Sequence, residues 1–512
     1  MIRSTFAGFS TAQLAMAASQ KSLDVVGQNI ANMNTPGYTR QRLDLQSISP
    51  SGHSQWNSLY STKVGQGVMM TSVSQIRDPF LDIQYRNQLT ETGTADAMDT
   101  ILSKIGEVFD ETSRDSIRSA LNNVVSQLEN MSNANNAGQD TSDKLVRSAM
   151  EVLLNIFHDN AESVKDIETE LIGRLEGTES QKIQSYLDKI VELNKAIKSS
   201  QVMGSPALEL QDQRNSLIDE LATYLPINIS YKQVDVGGNT FVETLKITFK
   251  DSQGNEYVLV DDSEKAEITI GSDEGMPPLS ISIKDAEGKE GDITDTLGDG
   301  VLKGYVDMLN KSGIYDGTDV KGIGYYGTYF DNFVDTFAKT LNKLNMDAGG
   351  GALFETSDGN AAFTAENIRI SEGWMNGTVK IETTAQEGAG DTDNSSANDN
   401  VLKMIHALTT DKWKFTNADG AIVFEGNFFD AYDHLQNTQA SERSSVSTIL
   451  ESRVTVLNQI ANSKDSVSGV SLDEEVMNLM KYQQSYNAAA RLMTTLDEAL
   501  DTLINNTGVV GR

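Results

Sequence analysis

Apolar residues recur at alternating steps of three and four along both ends of this chain, and that shared period limits what the whole can fold into. At the start the steps run Ile2, Thr5, Phe9, Ala12, Met16, Ser19, Leu23, Val26, Ile30 and Met33, eight of the ten apolar. Near the end they run Val476, Leu479, Gln483, Tyr486, Ala490, Met493, Leu496, Leu500 and Leu503. Each is a narrow seam of the coiled-coil kind, not the broad face of a helix lying on a globular core. Ser471 and Glu474 fit a capping box ahead of the second seam, and Gly508 offers its stop. At about 1.5 Å per residue each helix spans roughly 50 Å, so the two ends pair most simply as an antiparallel coil. The large apolar side chains of one seam offset only part of the entropy lost in ordering the segment. Both ends are therefore expected to be largely disordered alone and to order on assembly. Of the two stripes, an assembly surface is a better reading than ordinary core, because little else nearby in sequence can cover them.

The stretch NIANMNTPGYTR, Asn29 to Arg40, cuts the first seam. Asn29, Asn32 and Asn34 crowd the helix end, where Asn can take the left-handed conformation that closes a last turn. Thr35 precedes Pro36 and is pushed out of the helical region. Pro36 and Gly37 fit the centre of a type II turn that ends at Tyr38. This is a boundary between a helix that cannot bury its seam alone and a body that can fold by itself.

Within that body the period changes several times. Residues 38–80 alternate and carry turn signals, as short strands do. Residues 81–225 are helical in pattern, broken at NMSNANNAGQD and VMGSP, with Ser205-Pro206 as the start of the last helix and Pro226 as its stop. Residues 227–296 alternate with period two and form a β-rich insert. Helices resume at 301–344, and 346–427 read as a second β-rich insert apart from a helix at VLKMIHAL. Helical pattern returns from Phe428. The expected fold class is α+β and multidomain: a terminal α-helical coiled coil (1–35 with 471–512), a mainly helical rod domain (36–226 with 297–345 and 428–470) and two β-rich inserted lobes (227–296 and 346–427).

Composition removes several functions. With 41 basic and 73 acidic residues the net charge is -32, which repels phosphate backbones and anionic lipid, so no nucleic acid and no membrane partner is expected. No cysteine is present, so no disulfide or thiolate chemistry is expected. The N-terminal MIRSTFAGFSTAQLAMAAS imitates a cleaved secretion signal, but Ser10, Thr11 and Gln13 interrupt its apolar run. GIGYYG at Gly322 to Gly327 spells a dinucleotide fingerprint but follows a polar loop instead of a strand, and reads as loop. DTDNS from Asp391 opens like a calcium loop, yet Ser396 and Leu402 stand where Gly and Glu are required. His53, His158, His406 and His434 have no metal-ligand spacing. The expectation is no enzyme, no cofactor, no metal and no catalytic residue.

LDVVGQNIANMNTPGYTRQR and VGQGVMMTSVSQIRDPFLDIQYR resemble the N-terminal signature of the axial proteins of the bacterial flagellum, the rod and hook family. VSGVSLDEEVMNLMKYQQSYNAAARLMTTLDEALDTLI is similar to that family's closing helix. In the interior, IVELNKAIKSSQVMGSPALELQDQRNSLIDELA, LGDGVLKGYVDMLN and LFETSDGNAAFTAENIRIS resemble its hook-associated branch, which joins hook to filament. The 227–296 insert gives no specific match. The resemblance implies a structural protein, exported uncleaved by the flagellar type III apparatus and located in the extracellular flagellum. It implies a ring of copies of itself, contacts with the hook protein and with a second junction protein on the filament side, and a cytoplasmic export chaperone at the C-terminal helix. The assembly interface would comprise Ile2, Phe9, Met16, Leu23, Val26, Ile30, Met33, Val476, Leu479, Tyr486, Met493, Leu496, Leu500 and Leu503. A hook or distal rod subunit is the nearest alternative; a displayed hydrolase or binding module in the β-rich inserts is a more distant one.

Overall fold

The computed structural model describes residues 5–48, 65, 67–109, 116–133, 139–237, 241–273, 275–384 and 398–506. Helix α1 (Thr5–Asn32) leads into a hairpin of β1 (Gln41–Ser47) and β2 (Val68–Gln75). Helices follow: α2 (Pro79–Val108), α3 (Ile117–Ser132), α4 (Asp140–Arg174), α5 (Ser180–Val202) and α6 (Leu208–Tyr224), α4 passing into α5 through a π-helical turn at Leu175–Glu179. Next come β3 (Ile227–Asp235), β4 (Phe241–Lys250), β5 (Glu256–Asp261), β6 (Glu264–Lys265), β7 (Glu267–Asp273), β8 (Met276–Lys284) and β9 (Glu290–Asp292). The remainder is α7 (Val301–Asn310), α8 (Ile323–Asp347), β10 (Phe354–Thr356), β11 (Ile368–Ile370), α9 (Glu372–Met375), α10 (Asp399–Thr409), β12 (Trp413–Thr416), β13 (Ile422–Gly426), α11 (Phe428–Ser468) and α12 (Leu472–Asp501). The fold is an α+β mix.

Caps set several boundaries. Asp78 accepts from the Phe80 amide with Pro79 in the first turn of α2, Ser116 caps α3, and Asn427 accepts from Asp430 at the start of α11. Four sequence expectations shift here. Ser471 stands at the N-cap of α12 but makes no side-chain cap bond, and Glu474 turns instead to Arg40. Pro206 precedes α6 by two residues, and left-handed Ala207 is its N-cap. GIGYYG is not a loop: Gly322 is the N-cap of α8 and the rest is its first turns, because Tyr325 and Tyr326 have a core to enter. Among the described residues Asn32 and Asn34 are not left-handed; only Gly37 of that stretch has positive φ, at 76°.

The core is centred on α8, whose Tyr329, Phe330, Phe333, Val334, Phe337 and Leu341 are buried. Phe157 of α4 meets Phe330, Phe333 and Phe337 edge to face at 5.6–6.0 Å, the geometry aromatic rings prefer. Helices α2 and α11 run antiparallel beside it, with Gln439 donating to the Leu102 carbonyl at 2.6 Å and Gln88 to that of Arg453 at 3.4 Å. Gly300, at φ 124°, lies where a Cβ would come within 2.2 Å of the Tyr224 carbonyl, which fixes glycine at the entry to α7.

The 227–292 insert forms two antiparallel sheets, ordered β3-β4-β5-β6 and β7-β8-β9. Their inner residues, among them Ile247, Phe249, Leu259, Ile281 and Ile283, join the same buried cluster as the helices. The second insert differs from the expected β-rich lobe. It holds two short ribbons (β10-β11, β12-β13) and helices α9 and α10, packed through Phe354, Trp374, Met404 and Phe415 into that one core. Its turn-rich sequence signalled irregular backbone, which the core-facing aromatics then fix. DTDNS, Gly508 and His53 lie outside the described residues.

Removing the ring of Phe157 opens a cavity between α4 and the aromatic face of α8. Phe157→Ala is expected to lower unfolding free energy by about 3–5 kcal/mol, measured by denaturant titration, whereas Leu145→Ala on the exposed face of α4 should change it by about 0.5 kcal/mol or less. Equal effects would place Phe157 outside the core.

Candidate assembly interface

Helices α1 and α12 pack together antiparallel. A Cβ on Gly8 would come within 3.1 Å of the Leu496 side chain, and Asn29 donates to Glu475 at 3.1 Å. These two contacts lie 21 residues apart on both helices, three heptads each, so the pairing keeps one register throughout.

The residues that α1 places along that register are mostly small. On α1 they are Gly8, Ala12, Ala15, Ser19, Ser22, Val26 and Asn29; Ala12 is 0% exposed and Ser22 3%. On α12 the enclosed positions are Glu475, Leu479, Tyr482, Ala489, Met493, Leu496 and Leu500, of which Glu475 and Ala489 are fully buried. The expected seam was therefore one residue out of register over part of α12, with Val476, Gln483 and Ala490 in place of Glu475, Tyr482 and Ala489. The small α1 side chains leave room for the larger α12 ones, as Gly8 does for Leu496, and further large apolar residues flank the seam. Phe9, Met16, Leu23 and Ile30 form a half-buried stripe one heptad apart; Met33, Val476, Tyr486 and Leu503 are exposed. Ile2 lies outside the described residues. Another side of α1 covers the hairpin, with Thr11 and Leu14 against Gly67.

The coil meets the body through a polar joint. Asn29, 1% exposed, uses its whole amide. Its nitrogen donates to the Gln41 carbonyl (2.9 Å) and to Glu475, and its oxygen accepts from the Tyr38 hydroxyl (2.9 Å) and the Gln41 amide (3.0 Å). Arg40 donates to Glu475 at 2.8 Å and to Glu474 at 2.7 Å, and its backbone amide bonds the Ser468 carbonyl at 2.8 Å. The turn before it is Thr35-Pro36-Gly37-Tyr38, closed by the Tyr38 amide on the Thr35 carbonyl at 3.2 Å. On the body side Thr39 donates twice to Asp212, at 3.0 and 2.6 Å. Arg77 forks onto Asp82, and Lys464 reaches Asp219 at 2.9 Å and Asp82 at 3.4 Å.

Electrostatics follow from this crowding. Burial pushes the Tyr38 phenol well up, aided by Glu209, Asp212 and Glu475. Burial also raises Asp212 despite the Thr39 bonds. Burial pushes Asp82 up as well, but Arg77, Lys464 and Arg86 outweigh it and hold its carboxyl below the ordinary value. Beside the turn a cleft of 740 Å³ opens between Pro36, Tyr38 and the α5–α6 surface at Leu193, Glu209 and Leu217. Among the described residues no group of His, Asp and Glu is arranged to hold a metal ion, and no helix is long and apolar enough to cross a membrane.

Sequence reasoning missed Asn29, Arg40, Gln41, Asp212 and Glu475. Asn29 had a signal, since a polar residue at a seam position marks a specific partner. Glu475 and Asp212 had none, because their partners lie 446 and 173 residues away.

Residues 102–354 match the family described as flagellar hook-associated protein FlgK helical domain. Residues 9–39 match the flagella basal body rod protein family, and 465–506 the flagellar basal body rod FlgEFG protein C-terminal family. Those two shorter matches take in most of α1, the turn as far as Thr39 and all of α12. The flagellar hook-associated protein 1 of Bacillus subtilis (strain 168) is 29% identical over 99% of this chain and 100% of its own length. That of Escherichia coli (strain K12) is 24% identical over 97% and 99%. The flagellar hook junction protein FlgK from Burkholderia pseudomallei shares the fold at a TM-score of 0.55 and 13% identity, over 75% of this chain and 100% of that one.

Two outcomes test the joint. Asn29→Ala strands the Gln41 amide and the Tyr38 hydroxyl, each worth about 1–3 kcal/mol when buried without a partner; exchange of the Gln41 amide is expected to rise at least tenfold while amides of α8 stay protected. For Asp82 the folded pKa lies below the unfolded one, so its contribution is complete above about pH 4 and lost as pH falls through the depressed value. The stability gap between the parent chain and Asp82→Asn is expected to be flat near neutrality and to shrink below about pH 4. A gap that widens there would reverse the assignment.

Proposed function

The chain belongs to the flagellar hook-associated protein 1 family, and we propose from that membership how its parts do the work of a structural junction protein of the bacterial flagellum. Its homologues are structural flagellar proteins rather than enzymes, and self-assembly with contacts to other axial proteins follows from the family. The working parts are a terminal coil (1–35 with 471–512), which carries assembly, and a body, which turns outward with the 227–296 and 346–427 inserts. Copies of the coil pack into a ring between hook and filament, with the hook protein on one side and a second junction protein on the other.

One observation carries this reading: the coil leaves large apolar side chains on its outside. Small α1 residues meet larger α12 residues in the seam, while Met477 (59% exposed), Met480 (50%) and Leu492 (47%) face outward and the Phe9, Met16, Leu23 and Ile30 stripe stays half-buried. In a chain of net charge -32, no acid occurs from Met1 to Leu23 or from Val476 to Leu496. An apolar, acid-free exterior is poorly matched to water and well matched to like surfaces of neighbouring copies. The same surface of α12, Val476 to Leu503, suits a cytoplasmic export chaperone, which would cover it until the uncleaved chain leaves through the flagellar type III apparatus.

Met480→Asp tests the reading, because the side chain touches little in its own chain. It is expected to leave the melting temperature of the purified protein within a few degrees and to abolish its recovery at hook–filament junctions. Normal recovery would remove the outer coil face from the interface.

A further inference from the structure

α12 carries its charges in a pattern that its own chain does not use. Asp473 and Glu474 stand at its first turn, Asp497, Glu498 and Asp501 at its last, and between Val476 and Leu496 the charged residues are Lys481 and Arg491. Lys481, Arg491, Asp497 and Glu498 are exposed, and among the described residues none of them makes an ion pair. Glu474 pairs with Arg40 but keeps 54% of its side chain exposed.

The spacings coincide. Seventeen residues separate Glu474 from Arg491, and seventeen separate Lys481 from Glu498. Glu474 and Lys481 are one heptad apart on one outer stripe; Arg491 and Glu498 are one heptad apart on the next. Both stripes turn away from buried Glu475 and Ala489, and exposed Met477 and Met480 lie among them. Lay a second α12 parallel alongside, the first stripe of one facing the second stripe of the other. At equal height Arg491 meets Ala488 and Glu498 meets Thr495, which gains nothing. Displaced by seventeen residues, roughly 26 Å, Arg491 meets Glu474 and Glu498 meets Lys481 at a single setting.

We propose that neighbouring copies of this chain pack α12 against α12, parallel and side by side, with an axial offset of about 26 Å set by these two ion pairs. The inference rests on the coil being the assembly surface. The contact uses different stripes on the two copies and steps along the axis, so it is heterologous and makes the ring a one-layer helical tier, not a flat closed circle. The ion pairs fix the offset, and the methionines between them contribute the apolar burial.

Charge exchange and cross-linking test it in flagella from cells producing the full chain. Lys481→Glu or Glu498→Lys alone is expected to lower recovery at the junction about fivefold, the effect of losing roughly 1 kcal/mol of an exposed pair; the double exchange restores it. Failure of the double exchange to restore recovery overturns the pairing. Because the chain has no cysteine, Lys481→Cys with Glu498→Cys reports the contact directly. The two positions lie about 25 Å apart along one helix, too far to bridge within a chain, so oxidation should yield a ladder of linked chains. Dimers from Lys481→Cys alone would place like stripes face to face, and normal recovery without any ladder would remove the contact; either overturns the offset and leaves the assembly reading standing. Normal recovery of Met480→Asp is the separate result that would overturn that reading.

Discussion

Asn29 ties four segments together at one buried point. Its single amide spans the end of α1, the turn at Tyr38, the start of β1 and the start of α12, with every donor and acceptor used. A buried amide tolerates few alternatives, because any shift of one helix leaves a polar group without a partner. The register of the coil, three heptads from Asn29–Glu475 to Gly8–Leu496, is therefore fixed at its body end, and the small seam residues only have to continue it.

The rest of the coil makes physical sense once that anchor is in place. Small α1 side chains meet Leu479, Tyr482, Met493, Leu496 and Leu500 of α12, all of them half-buried, so the pair buries modest apolar area. Further large side chains, Met477, Met480 and Leu492, lie outside and are left to the contact between copies proposed above.

Much of this was legible in the sequence, and the failures have a common cause. Two terminal helices with antiparallel seams, the Pro-Gly turn, the break before α4 and the α10 helix follow from local period and punctuation. The seam on α12 lies one residue away from its expected place because apolar character marks a seam, and the buried position is charged Glu475 beside apolar Val476. GIGYYG was read as loop because glycine signals breaks, whereas the tyrosines that seat α8 have rings in the core as partners. The second insert read as β-rich because its turns are, although its aromatics join the α8 core. The joint was nearly invisible: Arg40 meets Glu475 across 435 residues, and no local pattern encodes such a pair.

The division of labour between apolar and polar contacts explains how one chain can serve a junction. The fully buried cluster runs from Ala97 to Leu435 and takes in both inserts, so the body moves as one packed unit. Everything between that cluster and the coil is held by carboxylates, guanidiniums and amides: Arg40 with Glu474 and Glu475, Thr39 with Asp212, Arg77 with Asp82, and Lys464 with Asp219. Several of these groups are themselves buried, Glu475 at 1% exposed, Thr39 at 5% and Asp212 at 6%, so losing one partner strands a polar group at a cost of about 1–3 kcal/mol. The body is held by packing, and the joint by directional bonds that fix how the coil leaves it.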